Sequence, residues 1–141
     1  MTQHNQVIFF IDRALESNPV LEALRQSGAT IEIHRDHFAP DALDTEWLPI
    51  VSKKGWVVLT KDARIGRNFQ EIRAIASENA SVFILWNGNL RSQETALLFS
   101  GIVSKLERFA VKNSPPFIAK IYKDGTIKLW KNHQELLNLL S

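Results

Sequence analysis

Four short apolar runs, each followed by a stretch with helical spacing, constrain this chain more than any other feature. The runs are VIFFI (7–11), the alternating ATIEIHR (29–35), WVVLT (56–60) and SVFILW (81–86). A continuous apolar run of four or five residues suits a strand covered on both faces, whereas Ile31 and Ile33 set against Glu32 and His34 describe a strand with one wetter face. Between the runs, Pro19, Val20, Leu21 and Leu24 precede Gly28, and Leu43, Trp47, Ile50 and Val51 fall on one helix face before Gly55. Phe69, Ile72, Ile75 and Ala76 form a third such face, and residues 92–112 predict one long amphipathic helix with Ser92 as its N-cap. Pro49 is awkward within the second helix, where it predicts a kink or a helix start.

The order βαβαβαβα predicts an α/β fold: a mainly parallel sheet of about four strands with helices on both faces. FIAKIYKDGTIKLW (117–130) alternates on both sides of Asp124-Gly125 and predicts a C-terminal β-hairpin, closed by a short helix from HQELLNLL (133–140). A single domain over residues 1–141 is expected, with a core at 7–112 and the hairpin and last helix at 116–141. Apolar residues make up 45% and charged residues 23% of the 141-residue chain, in keeping with a globular domain. The apolar runs fall far short of the ~20 residues of a membrane span. Polar MTQHNQ offers no signal-peptide core, and the lack of cysteine removes disulfides and thiolate metal sites. A cytoplasmic protein is the expectation.

In parallel sheets ligands sit beyond the carboxyl ends of the strands. Two of the runs stop there at an aspartate beside a cation: Asp12 with Arg13, and Asp62 with Lys61. An aspartate after a strand is most often a turn residue or helix cap. Here, however, strands one and three deliver two carboxylates to one rim, where they repel unless a cation lies between them. A hard divalent ion with oxygen ligands, Mg²⁺ or Mn²⁺, meets that need. The second helix supplies the candidates for a third ligand. Counted from Trp47 at the centre of the apolar stripe, Asp44 lies roughly 60° away and Glu46 roughly 100° away. Asp44 is therefore the better ligand, and Glu46 a supporting or second-metal group. Arg13, Lys61, Arg64 and Arg67 are placed to contact phosphates. Asp36 reads as a turn residue, His34 and His37 make a poor metal pair, and Trp86 and Trp130 read as packing residues.

Charge is lopsided along the chain. Residues 1–50 hold 3 Lys/Arg against 8 Asp/Glu, and the remainder holds 14 against 7. Acids beside a basic remainder suit a metal site flanked by a phosphate-binding surface. Other chemistries of βα folds fit the motifs less well. There is no G-x-x-x-x-G-K-[ST], G-x-G-x-x-G or G-x-S-x-G. Ala14 stands where an aspartyl phosphatase would place a second acid, and Asp12 lacks the acidic neighbour of a phospho-receiver.

The sequence resembles the PIN-like superfamily, and within it the small bacterial proteins related to VapC toxins and to the Mut7-C group. FFIDRAL (9–15), LRQSGATIEIHRDHF (24–38), DTEWLPIVSKKGWVVLTKD (44–62) and the following ARI carry the resemblance. It implies a three-layer α/β/α PIN-like fold and a Mg²⁺- or Mn²⁺-dependent endoribonuclease, often a toxin neutralised by an antitoxin protein. Carried over by motif, the first acid is Asp12, the helix acid is Asp44 or Glu46, and the later acid is Asp62. The chain departs from the longer-known pattern after strand four, which offers Asn87 and Asn89 rather than an aspartate. The rival reading is a non-catalytic PIN-like module that binds a regulatory partner. RNA, an antitoxin protein and a second copy of the chain are the partners to expect, with no membrane.

Overall fold

A computed structural model describes residues 7–86 and 89–141. Six strands form one sheet in the order β2-β1-β3-β4-β5-β6: β1 Ile8–Ile11, β2 Thr30–Ile33, β3 Val57–Thr60, β4 Ser81–Leu85, β5 Phe117–Ile121 and β6 Ile127–Lys131. The first five pair in parallel, and β6 returns antiparallel to β5. The expected hairpin is therefore present, but it joins the sheet rather than standing apart. The reason lies in β5, whose Phe117, Ile118, Ala119 and Ile121 are all buried and so need cover on both faces.

Odd and even strand residues feed two separate cores. Phe9, Ile11, Leu59 and Phe83 pack under α1 (Asn18–Gln26), α4 (Ser92–Ser100) and α5 (Val103–Lys112). On the other face, Phe10, Val58, Val82 and Ile84 pack under α2 (Asp44–Lys53), α3 (Phe69–Ser77) and α6 (His133–Asn138). Helix α2 runs through Pro49 without ending. The single long helix expected over 92–112 is instead two, divided at Gly101 and Ile102. Glycine is among the weakest helix formers, and here it caps α4. Arg91, not Ser92, is the N-cap of α4.

Strand order fixes where a ligand can sit. From β1 the chain crosses to β2 on one side, and from β2 it crosses back to β3 on the other. The crevice of a doubly wound sheet opens at such a reversal, beyond the carboxyl ends of the strands. In this chain those ends belong to β1 and β3, which lead directly into Asp12 and Asp62.

Candidate metal centre

Asp12 follows β1, and its backbone N–H still bonds to the Leu59 carbonyl at 3.0 Å, so it keeps the sheet register. By the alternation of the strand it falls on the Phe10 side, beneath α2 and α3. Its side chain is 8% exposed. Oδ1 accepts the Arg13 N–H at 2.7 Å, and Oδ2 accepts the Thr60 hydroxyl at 2.6 Å. Thr60 Oγ1 in turn accepts the Asp62 N–H at 3.0 Å. One buried hydroxyl thus ties the two rim aspartates together.

Asp62 faces the same crevice. Its carboxylate caps the turn Ala63–Gly66 through the Arg64 N–H and holds the Arg64 guanidinium at 3.0 and 2.8 Å. That guanidinium holds Asp62 below the usual carboxylate range. The ordinary capping role of a post-strand aspartate is therefore real at both positions, and it coexists with their convergence.

Asp44 is the first residue of α2 rather than its cap. Burial and the Asp12 charge push its pKa up, while hydrogen bonds from Glu71 and from the Trp47 indole oppose the rise. Asp12, Asp44 and Asp62 line one crevice of about 330 Å³ together with Arg13, Arg64 and His34. Glu46 does not join them. It is exposed, and its Oε1 accepts the Leu43 N–H at 3.0 Å at the start of α2.

The cations divide as well. Arg13 lines the crevice and donates to the Pro40 carbonyl. Lys61 lies on the opposite face of the sheet, beside Leu15, Val20 and Leu90. Arg67 turns away to the Trp86 ring, 5.3 Å from its centroid. Asn89 is exposed, and Asn87 lies outside the described residues.

Two residues enter the site that the sequence did not nominate. Glu71, in the first turn of α3, bonds to Asp44, and burial with the Asp44 and Asp62 charges pushes its pKa up to about 7. Its Oε2 is buried, and no N–H or hydroxyl of the described residues donates to it. The sequence signal was an acid three residues after Asn68, which reads as a capping pair. Asn68 does cap α3, but Glu71 uses its side chain elsewhere. His34 is the second such residue. It is 2% exposed among Phe10, Phe38 and Trp47, and its Nδ1 is buried with no hydrogen-bond partner among the described residues.

Does this set fit a hard divalent ion? Its chemistry does: the donors are carboxylate oxygens, one of them buried and orphaned among the described residues, and below about pH 7 the raised Glu71 carboxyl shares its proton with Asp44 when no cation is present. Its closure is incomplete. Among the described residues no three acidic or histidine side chains stand close enough to enclose one ion as they are. The Arg64 guanidinium holds both Asp62 oxygens, so an ion bound by Asp62 would compete with that pair.

The shared proton has a measurable consequence. Glu71 titrates near 4.5 when unperturbed and at about 7 in the fold. Between those values the folded chain binds more protons than the unfolded one, so stability falls as pH rises through that window. Asp44 shifts in the same direction, and Asp62 in the opposite one, below its ordinary value. In EDTA, the wild type should melt at progressively lower temperature from pH 4.5 to 7. Glu71→Gln should flatten that decline and melt about 2–4 °C higher than wild type at pH 8, a modest gain because the group is partly screened by solvent. Parallel melting curves for the two proteins across this range would show that no proton is shared.

Comparison with known proteins bears on the family of the chain. A family profile described as a PIN-like domain matches residues 7–87. A Mycobacterium tuberculosis (strain ATCC 25618 / H37Rv) protein named "Putative ribonuclease VapC45" is 25% identical over 124 residues, covering 85% of this chain and 89% of that protein. No solved structure matches.

Proposed function

Because the chain belongs to the PIN-like domain family, we propose that it is a metal-dependent endoribonuclease that hydrolyses RNA phosphodiesters, acting as the toxin of a toxin–antitoxin pair in the cytoplasm. The observation that carries this reading is that Asp12, Asp44 and Asp62 line the crevice where the strand order reverses, with Glu71 hydrogen-bonded to Asp44. No helix among the described residues is long and apolar enough to cross a membrane.

In this reading Asp12, Asp44 and Asp62 hold Mg²⁺ or Mn²⁺, with Glu71 beside them. When bound, such an ion polarises the scissile phosphate and lowers the pKa of its water. Thr60 fixes the rotamer of Asp12 through its hydroxyl. Glu71 would give up its proton as an ion arrives and would then be the carboxylate to accept one from the attacking water. Arg13 and Arg64 stand at the crevice to meet the RNA backbone.

One observation favours a second reading. The exposed Arg64 guanidinium engages both oxygens of Asp62, an arrangement that a non-catalytic, partner-binding PIN-like module would keep. Titration calorimetry with Mn²⁺ separates the two. The nuclease reading predicts binding that weakens by about tenfold or more in Asp12→Asn and tightens in Arg64→Ala, which frees Asp62. Equal affinity in wild type and Asp12→Asn removes Asp12 from the ligand set.

A further inference from the structure

The other half of the rim carries a different chemistry. Strand β5 runs parallel to β4, so the end of β5 and the turn into β6 lie on the same side of the sheet as Asp12 and Asp62. There a cleft of about 690 Å³ opens, lined by Trp86, Tyr122, Lys123, Asp124, Thr126 and Lys128. The acid at its edge is committed to the turn, because Asp124 Oδ1 accepts the Thr126 N–H at 2.9 Å. The half-buried Tyr122 ring and the exposed Lys123 and Lys128 remain to meet a ligand.

A cationic ridge joins this cleft to the acid crevice. Arg64, on Asp62, is followed by Arg67 over the Trp86 ring. Lys120 Nζ lies 3.7 Å from the Trp86 centroid and 4.5 Å from that of Trp130. Trp130 in turn packs so tightly on Gly66 that a Cβ there would collide with its ring. From β1 to β5 is three strand spacings of about 4.8 Å each, a reach of a few nucleotides.

We infer that this cleft binds a nucleotide of single-stranded RNA a few positions from the scissile phosphate, with Tyr122 stacking on the base and Lys123 and Lys128 on backbone phosphates. The inference takes its substrate class from the nuclease reading, but its Tyr122, Lys123 and Lys128 lie outside residues 7–87, which match the family. A ring among lysines is the composition of a single-strand-binding groove. A protein-docking surface is depleted in lysine at its centre, and among the described residues no aliphatic side chain lines this cleft. RNA is therefore favoured over a protein partner.

Fluorescence anisotropy of a labelled single-stranded RNA of about ten nucleotides, measured in EDTA so that nothing is cleaved, tests the cleft. Wild type should bind. Lys123→Gln with Lys128→Gln should weaken binding and reduce the slope of log affinity against log salt by about 1.4, as two lost phosphate contacts require. Tyr122→Ala should weaken binding by about tenfold and leave the slope intact, as the loss of one stacked base requires. Should Tyr122→Ala fail to fold, the surface lysine pair decides alone. Unchanged affinity and slope in that pair, no RNA binding by wild type, or capture of an acidic protein by the cleft in place of RNA would each overturn the inference. Cleavage in Mn²⁺ is scored separately. Wild type that cleaves RNA while the lysine pair binds normally sinks only the cleft, and wild type that binds through the cleft without cleaving sinks only the nuclease.

Discussion

Asp12→Asn is expected to lower RNA cleavage by on the order of a thousandfold or more and to leave the fold intact. The substitution removes the charge that offsets the ion but keeps the shape. The asparagine oxygen still accepts the Arg13 N–H, and its amide can donate to Thr60, whose oxygen has a second lone pair. Melting should therefore shift by only a few degrees while activity disappears. Adding Asp44→Asn should cost little more, because groups that act as one unit lose their effect together. Independent, multiplying losses from the two substitutions would show that they do not share an ion.

The second large effect separates two glutamates. Glu71→Gln and Asp44→Asn should each cut cleavage by about a hundredfold, and Glu46→Gln should leave it within about twofold. The contrast follows from where the carboxylates end. Glu71 is coupled to Asp44 and Asp62, whereas Glu46 is exposed and spends an oxygen on the Leu43 N–H. Cleavage by a labelled-RNA assay at fixed Mn²⁺, with melting curves as control, measures all three. A loss in Glu46→Gln equal to that in Asp44→Asn would return the supporting role to the helix start.

The architecture and the rim were legible because they depend on local pattern. Apolar runs of four or five residues mark strands buried on both faces, and the βα alternation forces parallel crossovers. Asp12 and Asp62 stand out in the sequence by their position after such runs, and in the fold they line one crevice. Asp44 was preferred to Glu46 by its angle on the α2 stripe, which is set by helix geometry alone. What was not legible depends on distant partners. Glu71 carries the spelling of a helix cap, and only the packing of α3 against α2 turns it to Asp44. His34 follows a half-wet strand, and nothing local says that Phe38 and Trp47 will close over it. The turn at Asp124-Gly125 announced β5 and β6 as a pair, but the parallel pairing of β5 with β4 is decided by an excursion of two helices. Lys61 and Arg67 were grouped with the acids by closeness in sequence. Strand alternation sends Lys61 to the other face, and Trp86 draws Arg67 off.

Whether four carboxylates at the strand reversal make a metal-dependent ribonuclease is tested most directly by one time course. Purified wild type is incubated with an end-labelled single-stranded RNA in Mn²⁺, in Mg²⁺ and in EDTA, beside Asp12→Asn. The expected result is cleavage in Mn²⁺ or Mg²⁺ that stops in EDTA and is absent from Asp12→Asn. Cleavage that persists in EDTA or in Asp12→Asn, or intact RNA under every condition with well-folded wild type, would contradict it.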